Sequence, residues 1–202
     1  MLFNVVRPLP FVWPYALVFW AVYAWSFFPE WKVVRGGMKG VKSPDSKDDG
    51  SLSVLLAGMQ VALLLAFFLA FVHSWMFPPR AKLPLFAVGL SLILLGSLLR
   101  RYCFRTLGEY FTGDVRARSD QPVIGTGPYT LIRHPSYTAG MMMFIGIGLA
   151  LGSWLSFAVA AIGAIATYWY RVTIEEKALL STIGDPYRLF MKNRKRFIPY
   201  VV

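Results

Sequence analysis

Five long apolar runs divide this chain and constrain its fold more than any other feature. They are 16 to 26 residues long and cover Phe11–Phe28, Leu52–Phe77, Leu83–Leu99, Ser136–Leu151 and Trp154–Tyr170. A helix needs about 20 mostly apolar residues to cross a bilayer, with a range of about 17–25. The pattern predicts an all-α integral membrane protein, multi-pass, with about five membrane helices.

A soluble helical bundle is the alternative explanation for so many apolar helices. Helices of that class carry a polar stripe along one face, and these runs do not. Composition also argues against it, because 56% of the 202 residues are hydrophobic and only 15% are charged. A soluble domain has about 25% charged residues.

The last two runs are separated only by Gly152 and Ser153. We interpret them as a tight helical hairpin that either spans the bilayer or partly re-enters it. Gly184 followed by Asp185-Pro186 is a stop signal, so we expect a further C-terminal helix beyond it.

Basic residues are distributed unequally between the connecting segments. Lys and Arg number 18 on the segments 29–50, 100–135 and 171–202, against three on the other side. The positive-inside rule then places those segments and the C-terminus in the cytoplasm. The net charge of +11 would also suit nucleic acid, but we interpret the cations as anchors to membrane lipids and expect no nucleic-acid partner.

Metal-binding signals are absent from the sequence. Cys103 is the one cysteine, and the two histidines, His73 and His134, lie in different regions. There is no HExxH, CxxC or P-loop motif, so no metal is expected.

The segment from Gly125 to Tyr137 concentrates polar chemistry between apolar runs. Its glycines permit close approach of the backbone to a ligand, although an ordinary turn would use the same residues. Pro135 suits a first helical turn, whose free N–H groups attract anions. The candidate binding residues are Gly125, Gly127, Tyr129, Arg133, His134, Pro135 and Tyr137.

A second polar segment follows the last apolar run. Arg171 and Glu175 have i,i+4 spacing and therefore share one helix face, whereas Glu176 points about 100° away towards a different partner. Such a pair is often only a surface ion pair of little energetic value. Charges at a membrane boundary are costly unless exposed, paired or functional, which makes a functional site the alternative.

These two blocks, GPYTLIRHPSYTAG and RVTIEEKALLSTIGDPYRLF, resemble the isoprenylcysteine carboxyl methyltransferase family, which is related to the phospholipid N-methyltransferases. The resemblance covers about residues 107–199. It implies S-adenosyl-L-methionine as cofactor, bound by the Gly125–Tyr137 residues above together with Glu176 and Tyr187. It also implies that Arg171 and Glu175 are catalytic and that the active site lies on the cytoplasmic face.

The resemblance divides the chain into two parts. Residues 1–99 are predicted to be a three-span membrane anchor, and residues 100–202 a catalytic half with the cofactor-binding motif and the C-terminal helix. The anchor contains the polar loop Pro29–Gly50, whose turn-rich stretch Lys42–Gly50 is predicted to be mobile and without chemistry.

The expected function is O-methylation of a carboxylate on a lipophilic or lipidated acceptor, resembling isoprenylcysteine, at the membrane interface. N-methylation of a phospholipid headgroup is the alternative, because Glu175 is an available base for an amine. A non-catalytic membrane scaffold or transporter subunit is a further alternative. A transporter should place its ionisable residues near the middle of the membrane, whereas here they cluster at one interface.

Overall fold

The computed structural model describes residues 7–42, 46–117 and 121–201. In these ranges six α-helices form the fold: α1 Tyr15–Gly40, α2 Ser51–Leu69, α3 Pro79–Leu107, α4 Pro135–Ala150, α5 Trp154–Ile183 and α6 Asp185–Asn193. Short 3-10 helices lie at Leu9–Phe11, His73–Trp75, Gly108–Tyr110 and Gly127–Thr130. The predicted all-α fold class is confirmed for this part of the chain.

Three helical segments of the described residues are long and apolar enough to cross a membrane. They are Ser51–Leu69, Pro79–Tyr110 and Trp154–Ile183. Helix α4 is apolar but has only 16 residues, and α1 carries several charged residues in its second half. These segments give the chain the make-up of an integral membrane protein, and the count of five spans stays a prediction.

Helix α1 extends further than its apolar run. The prediction of a loop from Pro29 to Gly50 is wrong for the first half of this segment, because α1 continues through Pro29 to Gly40. Proline lacks the N–H that would bond the carbonyl one turn earlier, here that of Trp25. Arg101 Nη2 on α3 donates to this carbonyl at 2.7 Å. The carbonyl is therefore satisfied and the helix is not interrupted.

The other helix ends also depart from the apolar runs. Helix α2 ends at Leu69, and a short turn replaces the predicted apolar stretch up to Phe77. Helices α3 and α5 continue past their apolar runs to Leu107 and Ile183, so they carry charged residues on their final turns. The expected stop at Gly184 is confirmed, since its φ of +73° ends α5 before α6 begins.

Helices α4 and α5 form the predicted hairpin. Gly148 brings the two helices together, because a Cβ on it would lie 2.7 Å from Phe157 Cα. Helix α3 approaches α4 as closely at Gly89, where a Cβ would lie 2.5 Å from the Gly146 carbonyl oxygen. Small residues commonly permit such contacts between membrane helices.

The alternating helix directions bring distant polar residues to one end of the bundle. The C-terminal halves of α1, α3 and α5 meet the N-terminal ends of α2 and α4 there. Ion pairs and hydrogen bonds between these segments include Arg100 with Glu30 and Ser136, and Arg171 with Asp48. The candidate site lies at this end.

Candidate active site

A cavity of about 470 Å³ opens among the helices at the polar end of the bundle. This volume is within the range of about 300–1,000 Å³ usual for small-molecule sites. One wall is apolar and comes mainly from α1, α2 and α4, with Tyr23, Phe27, Leu55, Met59 and Phe144. The other wall is polar. Since residues from both 1–99 and 100–202 line it, the division into an anchor and a catalytic half stays a prediction.

The polar wall contains seven of the residues singled out from the sequence: Tyr129, Arg133, His134, Tyr137, Arg171, Glu175 and Tyr187. The remaining four, Gly125, Gly127, Pro135 and Glu176, are not among the lining residues of this cavity. They lie next to lining residues and determine where those residues sit. Their direct contact with a cofactor stays a prediction.

The glycine-rich segment is positioned by close packing. Gly127 has a φ of +56°, and a Cβ on it would lie 3.1 Å from the hydroxyl groups of Thr106 and Tyr102 on α3. The chain then turns into the 3-10 helix that buries Tyr129 beside the cavity. Burial, with the negative charge of Glu175 as a further cause, raises the pKa of Tyr129. Its phenol is therefore a neutral hydrogen-bonding group at physiological pH.

The motif RHP forms the start of α4, as its sequence predicts. Pro135 is the first residue of α4 and His134 immediately precedes it. The predicted proximity of His134 and Tyr137 is also observed, because their rings stack at 5.6 Å with an interplanar angle of 11°. Tyr137 in turn stacks on Tyr168 of α5 at 5.0 Å. A column of three rings therefore connects the start of α4 to α5.

The Glu176 carboxylate lies next to the RHP motif and contacts several basic side chains. It accepts from Arg133 Nε at 2.9 Å and from Arg196 Nη2 at 2.7 Å, and it lies 3.1 Å from His134 Nε2. The side chain is only 3% exposed. Backbone hydrogen bonds from Arg133 to the Lys195 carbonyl and from His134 to the Arg196 carbonyl strengthen the same contact. The segment after α6 is thereby fixed against the RHP motif.

Arg171 and Glu175 do not form the ion pair that their spacing allows. Nη1 of Arg171 donates to the Asp48 carboxylate and to Ser51 Oγ, and Nη2 donates to the Gly113 carbonyl at 2.7 Å. Arg171 is 2% exposed, so this is a buried pair and not a surface one. Its Nε is buried and has no hydrogen-bond partner among the described residues.

The expectation that the Lys42–Gly50 stretch carries no chemistry is corrected at Asp48, which forms a buried ion pair with Arg171. Residues 43–45 of that stretch lie outside the described residues, but Asp48 is buried beside the cavity. It accepts backbone N–H bonds from Leu52 at 2.8 Å and Val115 at 3.1 Å. Burial alone would raise the pKa of Asp48, but these bonds and the Arg171 charge outweigh it and lower the pKa. Asp48 is therefore ionised at neutral pH.

One local pattern indicates that Asp48 is fixed. An Asp close to a helix start commonly accepts a free N–H of the first turn, and Asp48 lies three residues before α2 begins at Ser51. Its pairing with Arg171 has no comparable signal, because the two residues are 123 positions apart. Only the arrangement of the helices brings them together.

A second buried ion pair was also missed. Arg100 Nε and Nη2 donate to the two carboxylate oxygens of Glu30 at 2.5 and 2.8 Å, and Nη1 donates to Ser136 Oγ at 2.9 Å. The pair lines the cavity and joins α1, α3 and α4. Arg100 directly follows an apolar run, a position at which a charge usually has a specific partner.

Glu175 has its own contact on the polar wall. The Tyr137 hydroxyl donates to Glu175 Oε2 at 2.5 Å. Tyr187 of α6 lines the same wall, and burial followed by the charges of Glu175 and Glu176 raises its pKa. The wall thus presents phenol hydroxyls together with the Glu175 carboxylate and the Arg171 guanidinium. Within the described residues, no group of three or more His, Cys, Asp or Glu is arranged to hold a metal ion.

Several methyltransferases are similar to part of this chain. The protein-S-isoprenylcysteine O-methyltransferase of Tribolium castaneum is 28% identical over 134 residues, which is 65% of this chain and 48% of that protein. The enzyme of the same name from Schizosaccharomyces pombe is 28% identical over 56% of this chain and 49% of its own length. The chain spans about half the length of the curated relatives it matches.

A solved structure shares the fold. The eukaryotic intramembrane Ras methyltransferase ICMT (isoprenylcysteine carboxyl methyltransferase) matches with a TM-score of 0.60 and 26% identity. The match covers 72% of this chain and 52% of that one. The resemblance drawn from the sequence blocks is confirmed.

A family model described as phospholipid methyltransferase matches residues 85–185. This region is half of the chain, and it contains every predicted site residue except Tyr187. The protein therefore belongs to the phospholipid methyltransferase family.

Proposed function

We propose that the protein is an S-adenosyl-L-methionine-dependent methyltransferase that O-methylates a carboxylate of a lipophilic, isoprenylcysteine-like acceptor. The observation that carries this proposal is the buried Arg171 on the cavity wall, whose Nε has no hydrogen-bond partner within the described part of the chain. A buried unpaired donor is costly, so a ligand oxygen is its expected partner. The names of the relatives support the acceptor class.

The residues present fit such a cofactor. S-adenosyl-L-methionine, when bound, supplies a methyl group on a sulfonium and needs no protein nucleophile or metal. The polar wall offers hydroxyl donors from Tyr129 and Tyr187 and an imidazole from His134. We assign these residues, with Arg133 and Tyr137, to cofactor binding. Gly125, Gly127, Pro135 and Glu176 contribute by shaping the motif.

Arg171 is assigned to the acceptor. A carboxylate is already deprotonated at pH 7, so its methylation requires no base. A guanidinium donor binds one carboxylate oxygen with directional, charge-assisted hydrogen bonds and leaves the other oxygen free to react. Because Arg171 is held by Asp48, Ser51 and Gly113 before any ligand binds, this alignment costs little reorganisation.

The apolar wall supports a lipophilic acceptor. Side chains of Tyr23, Phe27, Leu55, Met59 and Phe144 line the same cavity as Arg171. They suit a long hydrocarbon group, whose burial contributes about 0.8 kcal/mol per methylene. The charge distribution supports a site and a C-terminus on the cytoplasmic face.

N-methylation of a phospholipid amine is the second candidate, and the family description favours it. An amine must lose a proton during methyl transfer. Glu175 is the carboxylate on the cavity wall near Arg171, and Tyr137 holds it in place. In this reaction Glu175 would be the base and Arg171 would bind the lipid phosphate.

Calorimetry with S-adenosylhomocysteine on detergent-purified protein tests the enzyme proposal. We expect saturable binding that is at least tenfold weaker in His134→Ala, as for loss of a buried hydrogen bond of about 1.4 kcal/mol. A methyl-transfer assay with a farnesylated cysteine derivative and with phosphatidylethanolamine then separates the two acceptors. Absence of binding by the folded wild-type protein would favour the scaffold alternative.

A further inference from the structure

Asp48 and Arg171 form a buried ion pair between the N-terminal and C-terminal halves of the chain. Asp48 lies outside residues 85–185 that the family model matches, whereas Arg171 lies inside them. Their side chains are 1% and 3% exposed. A buried cation is stable only with a buried counter-charge, so each depends on the other.

The pair uses a defined part of the guanidinium. An arginine has five N–H donors in a rigid planar arrangement. Both Nη1 acceptors, the Asp48 carboxylate and Ser51 Oγ, belong to the start of α2, and Nη2 donates to Gly113. The Nε–H has no hydrogen-bond partner in residues 7–42, 46–117 and 121–201. The orientation of this remaining donor is therefore set by Asp48, Ser51 and Gly113.

Asp48 is itself held rigidly. Its carboxylate accepts N–H bonds from Leu52 on α2 and Val115 in the segment after α3. The neighbouring Lys47 donates its backbone N–H to the Val115 carbonyl at 2.9 Å, and its Nζ contacts Thr182 on α5 at 2.5 Å. Three parts of the chain therefore fix the carboxylate that faces Arg171.

We propose that Asp48 is a positioning residue for methyl transfer: it orients Arg171 so that the Nε–H remains available to the acceptor. The proposal rests on the function proposed above and adds a residue from the N-terminal half to the site. Asp48 does not line the cavity, so it acts through Arg171 and touches no substrate.

Asp48→Asn separates positioning from a structural role. Asn keeps one side-chain oxygen that can accept the Leu52 N–H at the start of α2, whereas its amide removes the negative charge that faces Arg171. Asp49→Asn is the matched control, because Asp49 is exposed and its φ of 45° is well tolerated by Asn. The same charge is thereby removed one residue away from the pair.

We expect Asp48→Asn to lower kcat about 10–100-fold, as for loss of a hydrogen bond to a charged group, and to change S-adenosylhomocysteine affinity less than twofold. Asp48→Glu should restore part of the lost kcat, since it returns the charge. In the Arg171→Ala background, Asp48→Asn should cause no further loss, because a residue that acts only through Arg171 has nothing left to position.

Two kinetic results would overturn the proposal. One is an unchanged kcat in Asp48→Asn while Arg171→Ala strongly lowers kcat. The other is a full additional loss from Asp48→Asn in the Arg171→Ala background. Failure of the proposed function is recognised separately, because the wild-type protein would then bind no S-adenosylhomocysteine and transfer no methyl group. A lower unfolding temperature with lost cofactor binding in Asp48→Asn would show a structural role and also contradict the proposal.

Discussion

The Tyr137 hydroxyl donates a 2.5 Å hydrogen bond to Glu175 Oε2, joining the first turn of α4 to the end of α5. The sequence assigns the two residues to different tasks, cofactor binding and the reacting centre. Their contact means that the two parts of the site are one hydrogen-bonded unit. The stacking of Tyr137 between His134 and Tyr168 fixes this unit further.

Tyr137→Phe tests that unit. The substitution keeps the ring stack and removes only the hydroxyl, so we expect the helices to remain in place. Loss of a hydrogen bond to a charged group should lower kcat/KM about 10–100-fold. Steady-state methyl-transfer kinetics measure the effect. Tyr170→Phe is the control, because Tyr170 is 40% exposed, and its kinetics should match the wild type.

Glu176→Gln tests the contact between the C-terminal segment and the RHP motif. The change removes the buried counter-charge of Arg133 and Arg196 while keeping the side-chain size. Breaking a buried ion pair from one side costs about 3–5 kcal/mol. We therefore expect a clearly lower unfolding temperature in detergent and faster proteolysis after α6.

A matched carboxylate on the surface provides the control for Glu176. Asp185 and Arg188 form an exposed i,i+3 pair at 3.5 Å. Asp185→Asn should leave the unfolding temperature nearly unchanged, because exposed pairs contribute little. Equal stability of Glu176→Gln and Asp185→Asn would mean that Glu176 does not hold the segment.

Gly140→Ala tests the packing of the aromatic column. A Cβ at this position would lie 2.0 Å from the Tyr168 hydroxyl, so Tyr168 would have to move on the cavity wall. Overpacking of this kind costs about 1–3 kcal/mol. Gly36→Ala on α1 has nothing within 4 Å and should instead be neutral or slightly stabilising. Thermal unfolding of both variants compares the two sites.

Local sequence patterns predicted those parts of the structure that are determined by residues close to them in the sequence. The start of α4 follows from Pro135, and the stacking of His134 on Tyr137 follows from their spacing of one turn. The end of α5 follows from Gly184. The apolar runs located the helices because side-chain hydropathy alone drives helices of this kind into a bilayer.

Long-range pairs could not be predicted in this way. Helices α3 and α5 continue past their apolar runs because Arg100 and Arg171 are neutralised by Glu30 and Asp48, which are 70 and 123 residues away. The sequence carries no signal for which carboxylate meets which arginine. The surface ion pair between Arg171 and Glu175, one of the two alternatives that their spacing allows, is not formed for this reason.

The charge distribution predicts the orientation in the membrane. With 18 of the 21 basic residues on one side, a tag at the C-terminus should be reachable only from the cytoplasm and a tag at the N-terminus only from outside. Protease protection of sealed vesicles measures both. A C-terminal tag cleaved from outside would reverse the orientation and separate the site from a cytoplasmic cofactor.

Arg171 and Glu175 variants distinguish the two acceptors. For a carboxylate acceptor, Arg171→Lys should already lower turnover strongly, because lysine keeps the charge but lacks the planar donors. Glu175→Gln should then leave the rate without an added pH dependence between about pH 6 and 9, since no base is needed. For an amine acceptor, Glu175→Gln should abolish most of the rate together with its pH dependence. Rate–pH profiles of the wild-type protein, Arg171→Lys and Glu175→Gln measure this difference. Full activity of both Arg171→Ala and Glu175→Gln would show that neither side chain belongs to the reacting centre.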